Sequence, residues 1–266
     1  MSHIIGQAKL LNQINNYTDA TLPKAMLFIG DVGCGKHTIA KYTAQKFNLE
    51  YMEINENVTS DELIDFNYRP VNTLYVIDLS KFSEKQQNQF LKFIEEPSKS
   101  VFVILTAVSE NTVLNTILNR CVKCHFEDYS VEELKELTRN NPLQNDLVYM
   151  VCKTPGKIKN ISDKSFESLF EQSYRLVACI KEMSYSQVLV YKDLVNLKED
   201  YHKIDFVAFF DMVEYLAYEN YKSNASEANF KIYQITNQFK QSVTAKTPSK
   251  FAFLINYLTV LWKEVR

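Results

Sequence analysis

The sequence predicts an α/β domain built on a parallel sheet, followed by a small helical lid and an all-α C-terminal region. Three observations predict it. Short apolar runs alternate with helical patterns as far as Phe126, the arrangement of a parallel sheet with crossover helices. A glycine-rich turn, Gly30-Asp31-Val32-Gly33-Cys34-Gly35-Lys36-His37, joins the first run to the first of these helices. From about Lys164 onward only helical periodicity remains.

Each element has its own justification. Ala25–Ile29 is an apolar strand ending at the glycines, and residues 37–47 continue as a helix. Glu50–Ile54 is the second strand. Thr59 with Glu62 forms a capping box that opens a short helix. Residues 73–77 are the third strand. Ser83 with Gln86 opens a helix running to Glu95, stopped by Pro97. Residues 101–106 are the fourth strand, and residues 122–126 a fifth, read as buried. Ser130 with Glu133 makes another capping box, and Leu134, Leu137, Leu147 and Met150 mark two short helices before Gly156. Residues 166–183, 186–197, 206–221, 227–243 and 249–265 carry helical periodicity, with aromatic residues suited to helix-on-helix packing. The expected divisions are 1–128, 129–163 and 164–266.

Composition narrows the classes. Of 266 residues, 46% are apolar and 23% charged, which excludes a disordered or collagen-like chain. The net charge of −2 carries no strongly basic signature. The start of the sequence lacks the pattern of a signal peptide, and no apolar run approaches the length of a membrane span, so the expectation is a cytoplasmic protein with no membrane partner. Five cysteines are read as reduced thiols. There are only five glycines, against about 19 for average usage. Three of them, Gly30, Gly33 and Gly35, stand within six residues, where backbone must approach something closely.

That cluster is a G-x-x-x-x-G-K phosphate loop, or P-loop, in the strand-turn-helix context that gives the pattern meaning. Glycines let backbone amides wrap a phosphate, the helix N-terminus adds partial positive charge, and Lys36 supplies a full one. The expected ligands are ATP or ADP with Mg²⁺. The last position departs from the pattern. A Ser or Thr hydroxyl normally meets Mg²⁺ there, but His37 occupies it, and Thr38 comes one residue late, rotated by roughly 100° on a helix. The third strand ends in Asp78, a candidate for holding Mg²⁺ through water. Leu79 follows where many such ATPases carry a catalytic carboxylate, so nothing there orients an attacking water.

Several further segments together resemble one family. Asn88-Gln89-Phe90-Leu91-Lys92-Phe93-Ile94-Glu95-Glu96-Pro97 is similar to the N-x-L-L-K-x-x-E-E-P helix of clamp-loader AAA+ proteins. Leu114-Asn115-Thr116-Ile117-Leu118-Asn119-Arg120-Cys121 resembles their L-x-x-T-I-x-S-R-C segment, with Asn119 in place of serine. His3-Ile4-Ile5-Gly6-Gln7 resembles the adenine-flanking element, and Gly156-Lys157-Ile158-Lys159 the G-x-x-R lid motif. The resemblance covers residues 3 to 160. It implies a P-loop AAA+ domain, a helical lid and an oligomerising C-terminal collar.

The resemblance also implies a five-subunit ring that opens a sliding clamp and places it on primer–template DNA. Within it, Arg120 would be an arginine finger acting on the neighbouring subunit's ATP, chemistry that lysine copies badly. Thr106 would sense the γ-phosphate, Ile4 and Ile5 would flank adenine, and Lys159 would replace the second sensor arginine. His37, Leu79 and Lys159 all depart from an active ATPase. The combination most resembles the delta-prime subunit of DNA polymerase III, although that subunit's zinc module has no counterpart between Lys36 and Asp78. The alternative is a catalytically active AAA+ ATPase, either a gamma/tau-like loader subunit or a helicase-loader-like motor. Cys121-Val122-Lys123-Cys124-His125 matches a haem-attachment pattern, but its setting favours core cysteines, and neither haem nor zinc is expected. Lys81, Lys85, Lys92 and Lys99 surround the 83–95 helix, where lysines of the family face DNA.

Overall fold

In the computed structural model, residues 4–141, 146–160, 163–180, 206–243 and 250–265 are described. Strands β1 (Ala25–Ile29), β2 (Glu50–Ile54), β3 (Thr73–Asp78), β4 (Val101–Ala107) and β5 (Val122–His125) form one sheet in the order β2-β3-β4-β1-β5, every pair parallel. The central strands are continuous apolar runs because helices cover both of their faces. On one face, Leu10 and Ile14 of α1 (Ala8–Asn16) and Ile39, Ala40 and Ala44 of α2 (Lys36–Lys46) pack on Met26, Phe28, Val76 and Ile104. On the other, Leu63 of α3 (Ser60–Asn67) joins Phe90, Phe93 and Ile117 against Leu27, Tyr75, Ile77 and Leu105.

Two expectations need correction. The fifth strand is not buried: only Cys124 of β5 is, because β5 is the outermost strand and pairs with β1 alone. The helix from Ser83 to Glu95 is not continuous. It divides into α4 (Glu84–Gln87), a 3-10 turn (Asn88–Phe90) and α5 (Leu91–Glu95). Gln87, Phe90 and Phe93 are all buried and spaced by three, the repeat of a 3-10 helix. The Gln87 amide bonds Thr112 O and the Leu114 amide, both at 3.3 Å, and Phe90 meets Phe82 edge-on at 4.9 Å. The pull of these contacts tightens the turn.

The rest of the first unit, residues 1–138 with 154–157, comprises the short helix α6 (Asn115–Leu118) and α7 (Val131–Leu137). The helix α9 (Pro155–Asn160) begins in it. The second unit contains α8 (Asp146–Val151), α10 (Asp163–Cys179), α11 (Phe206–Ser223), α12 (Glu227–Ser242) and α13 (Lys250–Glu264). Its aromatic core joins Phe206, Phe210, Phe239, Phe253 and Tyr257, and the buried Tyr257 hydroxyl lies 2.8 Å from that of Thr236. The helix expected over 186–197, and the end of the one expected to reach Met183, lie outside the described residues.

Candidate nucleotide site

The phosphate loop leaves the C-terminal end of β1 at Gly30 and enters α2 at Lys36. Gly33 (φ 77°) and Gly35 (φ 98°) adopt left-handed backbone that only glycine enters freely. The first amides of α2 have no helical acceptor and carry the positive end of the helix dipole. The Lys36 ammonium folds into the loop and donates to the carbonyls of Gly30 at 2.5 Å and Asp31 at 2.9 Å. Beside the loop, Thr106 stands in register with Phe28 on one neighbouring strand and Asp78 on the other. Its hydroxyl is buried without a hydrogen-bond partner. An orphaned hydroxyl at the strand ends, next to a glycine cradle and a lysine, fits the phosphates of a nucleotide.

The same residues do not make a metal site of their own. His37 Nδ1 lies 3.3 Å from both the Tyr51 hydroxyl and Glu53 Oε1. Tyr51 in turn donates to Glu53 at 2.6 Å, which with the neighbouring His37 holds the Glu53 carboxyl below its ordinary range despite partial burial. Thr38 is exposed. Asp78 Oδ1 accepts from the Ser80 amide at 3.1 Å and the Ser80 hydroxyl at 2.7 Å, capping the 3-10 turn Leu79–Lys81. Leu79 is buried in the apolar core. A metal here would be held by phosphate oxygens and water with at most one carboxylate.

Two flanking segments fasten the loop. Tyr129 donates to the Cys34 carbonyl at 2.8 Å, and a Cβ on Gly6 would lie 2.5 Å from the Tyr129 ring. Gln7 binds both backbone groups of Glu127, donating to its carbonyl at 2.7 Å and accepting from its amide at 2.8 Å. Ile4 packs on the sheet face shared with α2, and Ile5 is half-buried. The second segment is Thr154–Lys157. Thr154 Oγ1 donates to Val32 O at 2.7 Å, the Gly156 amide to Gly33 O at 3.1 Å, and Lys157 Nζ lies 2.7 Å from Asp31 Oδ2. Sequence reasoning missed Tyr129 and Thr154; Gly6, with a left-handed φ of 78°, stands against the first, and Gly156 follows two residues after the second. Lys159 is exposed and belongs to the second unit.

Arg120 follows α6. Its Nε pairs with the Glu95 carboxylate, and Nη1 donates to Thr116 O at 2.7 Å. Arg120 and Glu95 remain 39% and 40% exposed, so the guanidinium is held yet presented. Cys121 packs against one face of the sheet and Cys124 against the other, so the two thiols do not converge. Burial pushes them up to about 12 and about 11 respectively. Burial likewise raises Cys34 despite the nearby Lys36. His125 is drawn to Glu110 at 3.3 Å. Lys81, Lys85, Lys92 and Lys99 are exposed. Among the described residues, no helix is long and apolar enough to cross a membrane.

A family described as "DNA polymerase III, delta subunit" matches residues 65–130, the stretch from β3 through the E-E-P and R-C segments to β5. DNA polymerase III subunit gamma of Buchnera aphidicola is 24% identical over 232 residues, covering 74% of this chain and 62% of the relative. Subunit tau of Escherichia coli is 25% identical over 167 residues, covering 50% of this chain and 26% of the relative. The chain therefore spans 62% of the length of the gamma relative and 26% of that of the tau relative. Among solved structures, the Thermotoga maritima RuvB Holliday junction branch migration motor shares the fold, with a TM-score of 0.50 over 96% of this chain and 87% of that one, at 15% identity. A point variant of that motor gives a TM-score of 0.51 over the same shares. The chain thus shares the fold of that motor and is similar, over part of its length, to the gamma and tau subunits of DNA polymerase III.

Proposed function

We propose that the chain is a delta-prime-like subunit of a sliding-clamp loader, supplying Arg120 in trans to a neighbouring ATP site while its own site is degenerate. One observation carries this reading. The cradle for phosphate is kept, but the groups needed for hydrolysis are committed elsewhere: Asp78 caps a turn, Leu79 is buried, and His37 faces Glu53. Without an oriented carboxylate no residue at the loop positions an attacking water. Arg120, by contrast, is exposed and braced, as a guanidinium acting on another subunit's phosphates must be.

In this reading residues 1–128 form the nucleotide-binding domain, 129–163 the lid and 164–266 the collar of a five-membered ring. Gly30, Gly33, Gly35 and Lys36 hold ATP or ADP, with Thr106 at the γ-phosphate, Ile4 and Ile5 beside adenine, and any Mg²⁺ held through Asp78 and water. Lys159 stands in for the second sensor. The partners are the other loader subunits, the clamp and primer–template DNA, in the cytoplasm.

ATP turnover by the purified chain tests the reading. Negligible turnover is expected; robust turnover abolished by Lys36→Ala would sink it. In a reconstituted loader, Arg120→Ala should slow hydrolysis with assembly intact. The second reading, an active ATPase of gamma/tau or helicase-loader type, draws on the intact geometry of Gly33, Gly35 and Lys36. The same turnover measurement separates the two.

A further inference from the structure

Asp31 places a carboxylate at the tip of a loop shaped for anions. Such a group repels polyphosphate unless its charge is offset. Both of its oxygens are engaged: Oδ1 accepts from the Val32 amide at 2.7 Å, and Oδ2 meets Lys157 Nζ at 2.7 Å. The Lys157 side chain is 11% exposed and that of Asp31 41%, so solvent reaches the pair mainly from the carboxylate side. The lysine is held there by its own segment. Thr154 and Gly156 bond the carbonyls of Val32 and Gly33, the two residues that follow Asp31. Lys36 is directed elsewhere, its ammonium donating to the carbonyls of Gly30 and Asp31.

We propose that Lys157 is the counter-ion that allows the Asp31-bearing phosphate loop to accept a nucleoside polyphosphate, so that the Asp31–Lys157 pair sets the loop's affinity for nucleotide. This rests on the nucleotide-binding part of the function proposed above. The pair is neutral as it stands. Removing the lysine leaves a net negative charge beside the cradle, and removing the carboxylate leaves a net positive one. The two changes therefore act in opposite directions. A clasp that merely held the loop shut would instead give both changes the same sign.

Calorimetric titration of the full chain with magnesium-ATP and magnesium-ADP reads this directly, with thermal melts to verify folding of each variant. Asp31→Asn should bind about tenfold more tightly and Lys157→Ala about tenfold more weakly, with the double substitution close to the native chain. Both shifts should shrink at high salt. Should Lys157→Ala fail to fold, Lys157→Gln keeps the side-chain packing and should show the same weakening. Single substitutions that move affinity in the same direction, or leave it unmoved, would overturn the proposal. If the native chain binds no nucleotide, the reading of its loop as a nucleotide site fails. Binding gained by Asp31→Asn would then still support the charge pair, and an inert Asp31→Asn would end it.

Discussion

Gly156 meets Gly33 backbone to backbone. A Cβ on Gly156 would stand 2.5 Å from the Cα of Gly33, and one on Gly33 would stand 2.7 Å from the Cα of Gly156. Neither neighbour is a side chain that can swing away, and the Gly156 amide also donates to Gly33 O. Two glycines so far apart in sequence are needed to bring the first turn of α9 against the phosphate loop. Gly156→Ala should therefore cost about 1–3 kcal/mol through overpacking. The denaturant midpoint of the purified variant checks this, and an unchanged midpoint would contradict the contact.

Lys240 bridges α12 to α11, 3.0 Å from Asp211 and 2.7 Å from Glu214, with Asp211 buried. Burial alone would lower its pKa, but the two carboxylates overcome that and raise it above its ordinary value. The sign follows: a lysine raised in the folded state contributes stability fully below its unfolded value, and that contribution fades as pH climbs through the folded value. Stability should thus hold up to about pH 10 and fall steeply beyond it, with the lysine–carboxylate contribution to the fall absent in Lys240→Met. At neutral pH that variant takes the Lys240 ammonium away from buried Asp211 and should lose about 3 kcal/mol. Urea unfolding at neutral and alkaline pH measures both effects.

These two predictions rest on features of different legibility. The strands were readable because AMLFI, LYVI and VFVIL are unbroken apolar runs, as burial on both faces demands. The capping boxes of Thr59, Ser83 and Ser130 were readable because each is a local exchange between a hydroxyl residue and a Glu or Gln three residues on. Helix α1 was not. Its leading residue, Gln7, makes no cap bond and spends its amide on Glu127, 120 residues away. The Asp31–Lys157 and Arg120–Glu95 pairs were equally silent, because polar contacts between distant elements leave no periodicity. The 3-10 turn at Asn88–Phe90 was hidden by the strong capping signal ahead of it.

The Arg120–Glu95 pair leads to a prediction about the proposed finger role of Arg120. Nε is taken by Glu95 and Nη1 by Thr116 O, so the guanidinium is oriented by its planar fork. A lysine ammonium has three donors, but all on one nitrogen. It cannot span Glu95 and Thr116 O from two separate positions, as the guanidinium does, while presenting a third nitrogen outward. Arg120→Lys should therefore impair hydrolysis by a reconstituted loader nearly as much as Arg120→Ala, by a factor on the order of 10³. Substantial activity in the lysine variant would show that charge alone suffices, and the trans-finger role would have to be abandoned.

On the proposed reading, Leu79 after Asp78 is a departure that a single substitution does not repair. In an active site the residue after the strand-end aspartate must turn its carboxylate toward the attacking water. Here that position is Leu79, 1% exposed and packed with Ile77 and Phe82 in the apolar core. Leu79→Glu would thrust a carboxylate into that core, among the buried apolar side chains of Ile77, Phe82 and Phe90. A buried unpaired carboxylate is costly enough to be protonated or to displace the turn. The variant should therefore lose about 3 kcal/mol or more of stability and gain no ATP turnover. Combining it with His37→Thr, which restores a hydroxyl at the start of α2, should still yield no turnover, because the new carboxylate remains misplaced. Thermal melts together with a phosphate-release assay decide the matter. A Leu79→Glu chain that melts like the native protein and hydrolyses ATP would mean that Leu79 can face the phosphates, and the site would then be one substitution from catalysis.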